Sequence, residues 1–441
     1  MRFFLKSKVM LLYQAQKYWL ILIYFFCGFG INSSSGIEVA DFSKPLLTGA
    51  DQIEKYLPYL MNKRVSLVVN QTSMLGNTHL VDTLLSAGIL ISNVFSPEHG
   101  FRGDADAGEL IKNSLDKKTG LPLISLYGKN KKPQKSDLEK TDVVVFDIQD
   151  VGVRFYTYIS TLHYVMEACA ENNLELLILD RPNPNMSKPD GPMMEPEFKS
   201  FVGMHPVPII YGMSIGEYAQ MINGEYWLPD SLQCKLKIIK IKNLFSRNIE
   251  YILPIPPSPN LPNQLSIDLY PSLCLFEGTV ISIARGTLFP FQAIGHPFLK
   301  SQYFEFTPVS IAGMSKNPPF ENKICYGTDL REIQSKKTSE LITFDLHWLI
   351  YFYSIFPDKE HFFNSFFEKL AGTGNLRVQI KEGTKEQEIR KSWAIGLERF
   401  SAIRKKYLLY KNLDEQTLYT PFVYKKAKSN KKSIFYWLKS N

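Results

Sequence analysis

Five short stretches hold the side chains whose types and spacing could do chemistry. In NVFSPEHGFRGD (93–104) an apolar run stops at Pro97, and Glu98, His99, Arg102 and Asp104 follow, separated by Gly100 and Gly103. A carboxyl beside apolar walls is where burial raises a pKa toward that of a general acid. The plainer alternative is that Glu98 caps a turn or pairs with Arg102. His99 suits hydrogen bonding better than metal binding, because no HxH, HExxH or DxH pattern accompanies it. In DIQDVGVRFY (147–156), Asp147 and Asp150 bracket Gln149, and Gly152 allows a turn before Arg154 and Tyr156. A ligand-facing role competes there with simple capping of a following helix. DRPNPN (180–185) holds Asp180, Arg181 and Asn183 between prolines, either as a structural turn or as a substrate contact. FEGTVISIARGT (276–287) places Glu277 and Arg285 close to glycines. Asn70-Gln71 closes the run RVSLVVN (64–70). Glycoside hydrolysis uses two carboxyl groups, so Glu98 with Glu277 or Asp150 as the second is a chemically coherent set. Nucleophilic serine or cysteine chemistry lacks support: GxSxG is absent, and no cysteine adjoins a histidine.

The elements that would position these groups alternate along the chain. Apolar runs at 64–70, 89–97, 121–128, 142–150, 174–184, 207–212 and 235–244 read as strands; 78–88, 156–173 and 214–227 have helical spacing. Continuous apolar strands between helices predict a mostly parallel sheet covered on both faces. Ligands bind beyond the carboxyl ends of such strands. Those ends are Asn70-Gln71, Glu98-His99, Tyr127-Gly128, Asp147–Asp150, Asp180–Asn183 and Tyr211-Gly212, so polar groups should gather on one rim. No GxGxxG follows the first strand, which leaves a dinucleotide site without support. The expected class is α/β: a Rossmann-like, mostly parallel sheet with a second, smaller C-terminal α/β domain. LPIPPSPNLP (253–262) is too rich in proline for a regular element. Helical runs at 345–356 and 385–410 lie beyond it.

The boundaries that follow are a signal peptide or membrane anchor over 1–36, a catalytic domain over 40–252, and a Pro-rich linker over 253–269. The smaller domain covers 270–424 and a basic tail 425–441. The net charge of +8 in 441 residues belongs to the two ends. Residues 1–31 carry four basic residues and no acid, and 424–441 carry six lysines and no acid, leaving a body at about −2. That balance argues against a nucleic-acid-binding body. The run WLILIYFFCGFG (19–30), behind basic residues and before INSSSG, has the parts of a secretory signal and is short for a membrane span. Export is expected, to the periplasm or to a membrane-anchored position facing it, with membrane association through the N-terminus. The cysteines are scattered, without metal-ligand spacing or a disulfide framework.

The motifs SPEHGFRG, DVVVFDIQDVGVRFYTYISTL, LDRPNP, DGPMMEPEFKSFVGMHPVPIIYGMSIGEYA, YPSLCLFEGT and RKKYLLY together resemble the exo-β-N-acetylmuramidase family over roughly 45–410. The resemblance implies a Rossmann-like catalytic domain, a smaller C-terminal domain and a cleft between them. It implies release of a non-reducing terminal N-acetylmuramic acid (MurNAc) from peptidoglycan fragments of the MurNAc-GlcNAc type, with Glu98 at the position of the family's proposed catalytic glutamate. No metal or organic cofactor is required. Substrate contacts are expected from Asn70, Gln71, His99, Asp147, Arg154, Tyr156, Asn183 and Arg285; Arg154 and Arg285 are the candidates for the lactyl carboxylate of muramic acid. The chain departs from the family pattern at Val280 and Ala284, where EGTN and GRGT are usual, and at His296, in GHPF instead of GAPW. The competing class is an exported, non-catalytic sugar- or peptidoglycan-binding protein on the same scaffold.

Overall fold

The computed structural model describes residues 44–97, 101, 114–244, 247, 251–331 and 344–410. Seven strands form the main sheet: β1 (Arg64–Val69), β2 (Leu90–Ser96), β3 (Ser114–Leu115), β4 (Pro122–Ser125), β5 (Val143–Asp147), β6 (Glu175–Leu179) and, after a separate hairpin, β9 (Lys235–Ile239). Their order is β9-β6-β5-β1-β2-β4-β3, and every pairing is parallel except the short edge strand β3 against β4. Residues Val65–Val69 and Val143–Asp147 are all buried, which is why these strands are apolar except at Ser66 and at the terminal Asp147.

Alternate residues serve opposite faces. Val65, Leu67, Val69, Val143 and Val145 pack with Tyr56, Leu57 and Leu60 of α1 (Ile53–Leu60) and Leu80, Val81 and Leu84 of α2 (Leu80–Ser86). Val68, Val144 and Phe146 face the larger core with α3 (Tyr158–Glu171) and α4 (Ile215–Gly224). The start of α4 is fixed by a capping box, in which Ser214 accepts from the Glu217 amide and Glu217 from the Ser214 amide.

One expected strand is not in this sheet. Residues 207–212 contribute β8 (Pro208–Ile210), which pairs antiparallel with β7 (Asp190–Met193) as a two-stranded ribbon. Its place at the sheet's edge is taken by β9. The smaller C-terminal part carries α5 (Gln264–Leu273), a three-stranded antiparallel sheet of order β10 (Ala293–His296), β12 (Cys325–Asp329), β11 (Phe304–Phe306), and α6 (His347–Ile355). The long helix α7 (Glu386–Lys405) ends the described chain's regular structure.

This C-terminal part is fastened to the main sheet by buried polar contacts. Arg404 donates Nε to the Gly212 carbonyl at 2.8 Å. The Tyr410 hydroxyl donates to Asp180 Oδ2 at 2.7 Å and accepts from the Ile241 amide at 2.8 Å. The Leu409 amide donates to Glu217 Oε1 at 2.9 Å.

Candidate functional site

The parallel strands deliver polar residues to one rim, as expected, but most of them are spent on fixing loops. Asn70 follows β1 and donates to the Tyr158 hydroxyl at 2.9 Å, while its Oδ1 accepts from the Thr72 amide and hydroxyl at 3.0 and 2.6 Å. Gln71 Nε2 donates to the Pro257 carbonyl at 3.0 Å, and the Tyr156 hydroxyl donates to the same carbonyl at 2.8 Å. Asn70, Gln71 and Tyr156 are therefore brought together, and what they hold is the Pro-rich segment.

At the end of β5, Asp147 is fully buried and accepts from Arg181 Nε and Nη2 at 2.6 and 2.9 Å. This fork-on-carboxylate geometry ties the ends of β5 and β6 together. Asn183 is equally sealed, donating to the Met213 carbonyl at 2.8 Å and accepting from the Asn185 amide at 2.8 Å. Gly152 is required beside it: its φ is +78°, and a Cβ there would come within 2.1 Å of Asn183 Oδ1.

Arg154 is placed elsewhere than a substrate contact demands. Its side chain is wholly buried, with Nη1 donating to the Pro192 and Val207 carbonyls (3.0 and 2.7 Å) and Nη2 to the Leu370 and Ala371 carbonyls (3.0 and 2.7 Å). Burial lowers its pKa to about 9. It is a cross-link between β7, β8 and the C-terminal part, and cannot reach a sugar carboxylate from there.

Asp150 is also buried. It accepts from the Gly152 amide at 2.6 Å and from the Tyr211 hydroxyl. Burial raises its pKa to about 6. Burial does the same to Asp180, also to about 6, against the Ser214 and Tyr410 hydroxyls and the Gly216 amide. A folded-state pKa raised above the unfolded one means that the native state binds more protons between pH 4 and 6. The associated stability is complete at low pH and is lost as pH rises through about 6. For Asp150 the step from 3.8 to about 6 corresponds to about 3 kcal/mol. Asp150→Asn should therefore gain stability relative to wild type by up to that amount between pH 4 and 7, read from urea unfolding at both. A stability difference between the two proteins that does not change with pH would contradict the assignment.

A cavity of about 70 Å³ lies at the rim among the described residues. It lies between Phe155, Tyr156, Thr157 and Tyr158 at the start of α3, Ser258, Asn260 and Leu261 of the Pro-rich segment, and Tyr270, Arg285 and Phe291 of the C-terminal part. Arg285 is paired with Glu277, through Nε at 2.7 Å and Nη2 at 2.5 Å, both on Oε1. Its guanidinium lies 5.0 Å from the Phe291 ring centre. Ala284, where glycine is usual in the resembled pattern, and Phe291 flank it with φ of +58° and +60°, strained values for residues with a side chain. Glu98 and His99 lie outside the described residues; the chain is described again at Phe101, which is buried edge-on against His79 at 4.7 Å.

Of the residues expected at the site, Tyr156 and Arg285 line the cavity and Glu277 adjoins it through Arg285. Asn70, Gln71, Asp147, Asp150 and Asn183 form the layer beneath. Sequence reasoning did not single out Asn260, Leu261, Tyr270 or Phe291. The signal for the first two was present in the irregular PNLP, which reads as a domain boundary and the edge of a cleft.

Comparison with known proteins follows the same division. The family models for the N-terminal and C-terminal parts of "exo-beta-N-acetylmuramidase NamZ" match residues 65–265 and 268–410. The chain is 40% identical over 389 residues to the peptidoglycan β-N-acetylmuramidase NamZ of Bacillus subtilis (strain 168), covering 82% of this chain and 91% of that protein. Crystal structures of two DUF1343-family proteins of Bacteroides fragilis NCTC 9343 share the fold. The first has a TM-score of 0.76 at 46% identity, covering 83% of this chain and 99% of that one. The second has a TM-score of 0.69 at 29% identity with the same coverage.

Proposed function

The chain belongs to the NamZ family of exo-β-N-acetylmuramidases, a family of glycoside hydrolases, and from that membership we propose that it releases non-reducing terminal MurNAc from peptidoglycan fragments. The observation that carries the proposal is the cavity where both matched parts of the chain meet, lined by aromatic rings and one arginine at the carboxyl ends of the strands. Aromatic faces with a few fixed polar groups are the usual lining of a small-ligand site.

In the proposed chemistry Glu98 is the general acid, protonating the glycosidic oxygen so that the rest of the fragment departs as an alcohol. The second carboxyl stabilises or captures the positive charge left on the sugar ring. Glu277 is better suited to this than Asp150. Its side chain is about a quarter exposed, whereas Asp150 is sealed under Tyr211. Arg181, Asn183 and Asp147 keep the rim rigid without touching the sugar.

The test is incubation with MurNAc-GlcNAc and with the reversed disaccharide GlcNAc-MurNAc, followed by mass spectrometry of the products. Free MurNAc from the first and no cleavage of the second is the expected result. Binding of MurNAc-GlcNAc with no cleavage over many hours would favour the non-catalytic binding protein instead.

The same reading places the substrate outside the cytoplasm, and the apolar run at 19–30 behind basic residues supports export. Native protein should lack roughly its first 27–36 residues, consistent with signal-peptide cleavage. Intact-mass measurement decides this: Met1 retained in a soluble cytoplasmic fraction would overturn export, and Met1 retained in membranes would indicate an uncleaved anchor.

A further inference from the structure

We infer that Cys274 is a positioning residue for Glu277: its thiol holds one carboxylate oxygen while Arg285 holds the other, and the two together fix the plane of the group. The inference rests on the proposed muramidase chemistry with Glu277 as its second carboxyl, and names what orients that carboxyl.

The local chain geometry comes first. Tyr270 lies in α5, and Cys274 and Glu277 belong to the 3₁₀ stretch Cys274–Gly278 that continues it. Spacings of four and three residues put the three side chains on one face. The backbone of this turn is pinned. Asn364 Nδ2 donates to the Glu277 carbonyl at 3.2 Å, and a Cβ on Gly278 would come within 2.4 Å of Phe367 Cα. With the backbone fixed, the direction of the Glu277 carboxylate is set by what its oxygens bond.

Those bonds are unequal. Oε1 accepts from Arg285 Nε at 2.7 Å and Nη2 at 2.5 Å. Both fall on one oxygen, so by themselves they leave the other free to swing. Oε2 accepts from the Cys274 thiol at 3.7 Å, within the longer reach of a sulfur donor. Cys274 is buried, and burial, then the Glu277 charge, push its pKa well above the ordinary thiol range. It therefore keeps its proton at neutral pH and acts toward Glu277 as a donor. The Tyr270 hydroxyl interacts with the same sulfur. The Tyr270 ring is in turn gripped edge-on by Phe155, Tyr156 and Phe291, at 5.4, 5.8 and 5.0 Å. The thiol is thus seated between a ring of the cavity lining and the carboxylate.

The weakness of the donor is what suits it to this place. An N–H or O–H on Oε2 would bind the negative charge strongly and compete with the positive charge developing on the sugar ring. An S–H is a weak donor. It orients Oε2 and leaves most of the charge available.

Two measurements test this. The infrared S–H stretch falls where no other protein group absorbs, and hydrogen bonding lowers its frequency. The band that wild type loses in Cys274→Ser belongs to Cys274. It should move to higher frequency in Glu277→Gln, where a neutral amide replaces the carboxylate; an unmoved band overturns the inference. In turnover of MurNAc-GlcNAc, Cys274→Ala should lower kcat at least about tenfold with KM unchanged, as a misaimed group acting in the transition state does. Cys274→Ser keeps a donor and should recover most of that loss. Cys274→Val keeps the volume without a donor and should not; it stands in for Cys274→Ala should the smaller residue not fold. Recovery by valine and not by serine would mean that the thiol only fills space, and overturns the inference. So does a normal kcat in Cys274→Ala beside an inactive Glu277→Gln, a result that leaves the muramidase reading standing. Near-normal turnover by Glu277→Gln removes the second-carboxyl assignment and this inference with it. A wild type that binds the disaccharide but never cleaves it sinks the muramidase reading, and the role of Cys274 falls too.

Discussion

Glu98→Gln is expected to reduce turnover of MurNAc-GlcNAc by at least about a hundredfold while leaving the thermal unfolding midpoint nearly unchanged. Glycosidic oxygen is a poor leaving group until it is protonated, and a positioned acid contributes about a hundred- to ten-thousand-fold. Glutamine preserves shape and hydrogen bonding but carries no transferable proton. Sugar affinity should therefore survive, and the loss should fall on kcat. An activated glycoside with an acidic aryl leaving group needs little protonation, and on it the variant should recover much of its rate. That recovery separates an acid from a residue that merely holds the loop. Near-normal turnover of the natural linkage by Glu98→Gln would move the acid elsewhere. Glu277→Gln assayed beside it should also lose rate, but without rescue by the better leaving group.

The second large effect is on stability. Arg181→Met leaves the Asp147 carboxylate, wholly buried and otherwise neutralised by a two-point contact at 2.6 and 2.9 Å, without its cation. Breaking a buried pair from one side typically costs about 3–5 kcal/mol. Urea unfolding should show a loss of that size. Arg181→Met combined with Asp147→Leu should recover most of it, because two apolar residues need no compensation. A single variant within about 1 kcal/mol of wild type would mean that water or a neighbouring group replaces the guanidinium.

The legible part of the fold was the part written in local pattern. Val65–Val69, apart from Ser66, and Val143–Phe146 are apolar because both faces of a parallel sheet are covered, and the polar residues after them mark the rim. Ile209 and Ile210 look the same in sequence, yet they belong to a ribbon with Asp190–Met193. Nothing local distinguishes an apolar triplet in one sheet from that in another, and Pro192 disguised its partner strand. Helix α5 was hidden in the same way by the proline-rich run before it and by Pro271 inside it.

The site divides along similar lines. Arg285 beside Glu277 lies within nine positions and was visible as a pair of charges near glycine. Arg154 carries the same charge in a comparable setting, but its partners at Leu370 and Ala371 are 216 and 217 residues away. A sequence does not announce that a guanidinium will be consumed by distant carbonyls. Asn260 shows the converse: an ordinary loop asparagine comes to line the cavity because its Nδ2 is held by the distant Met314 carbonyl.

The clasp formed by Tyr410 has a consequence for the order in which the protein is made. Asp180 leaves the ribosome 230 residues ahead of the hydroxyl that completes its shell, and Glu217 waits nearly as long for the Leu409 amide. At about 5–20 residues per second that is roughly 10–50 s of synthesis. During that time the Asp180 carboxylate is better off in water than in the interior it will later occupy, since burial pushes its pKa up, to about 6 even with the completed shell in place. The early strands can pair, but the layer around Asp180 and Glu217 stays wet until helix α7 has emerged and Tyr410 has reached back. That one layer, and with it the seat of Asp180, is completed only late in translation.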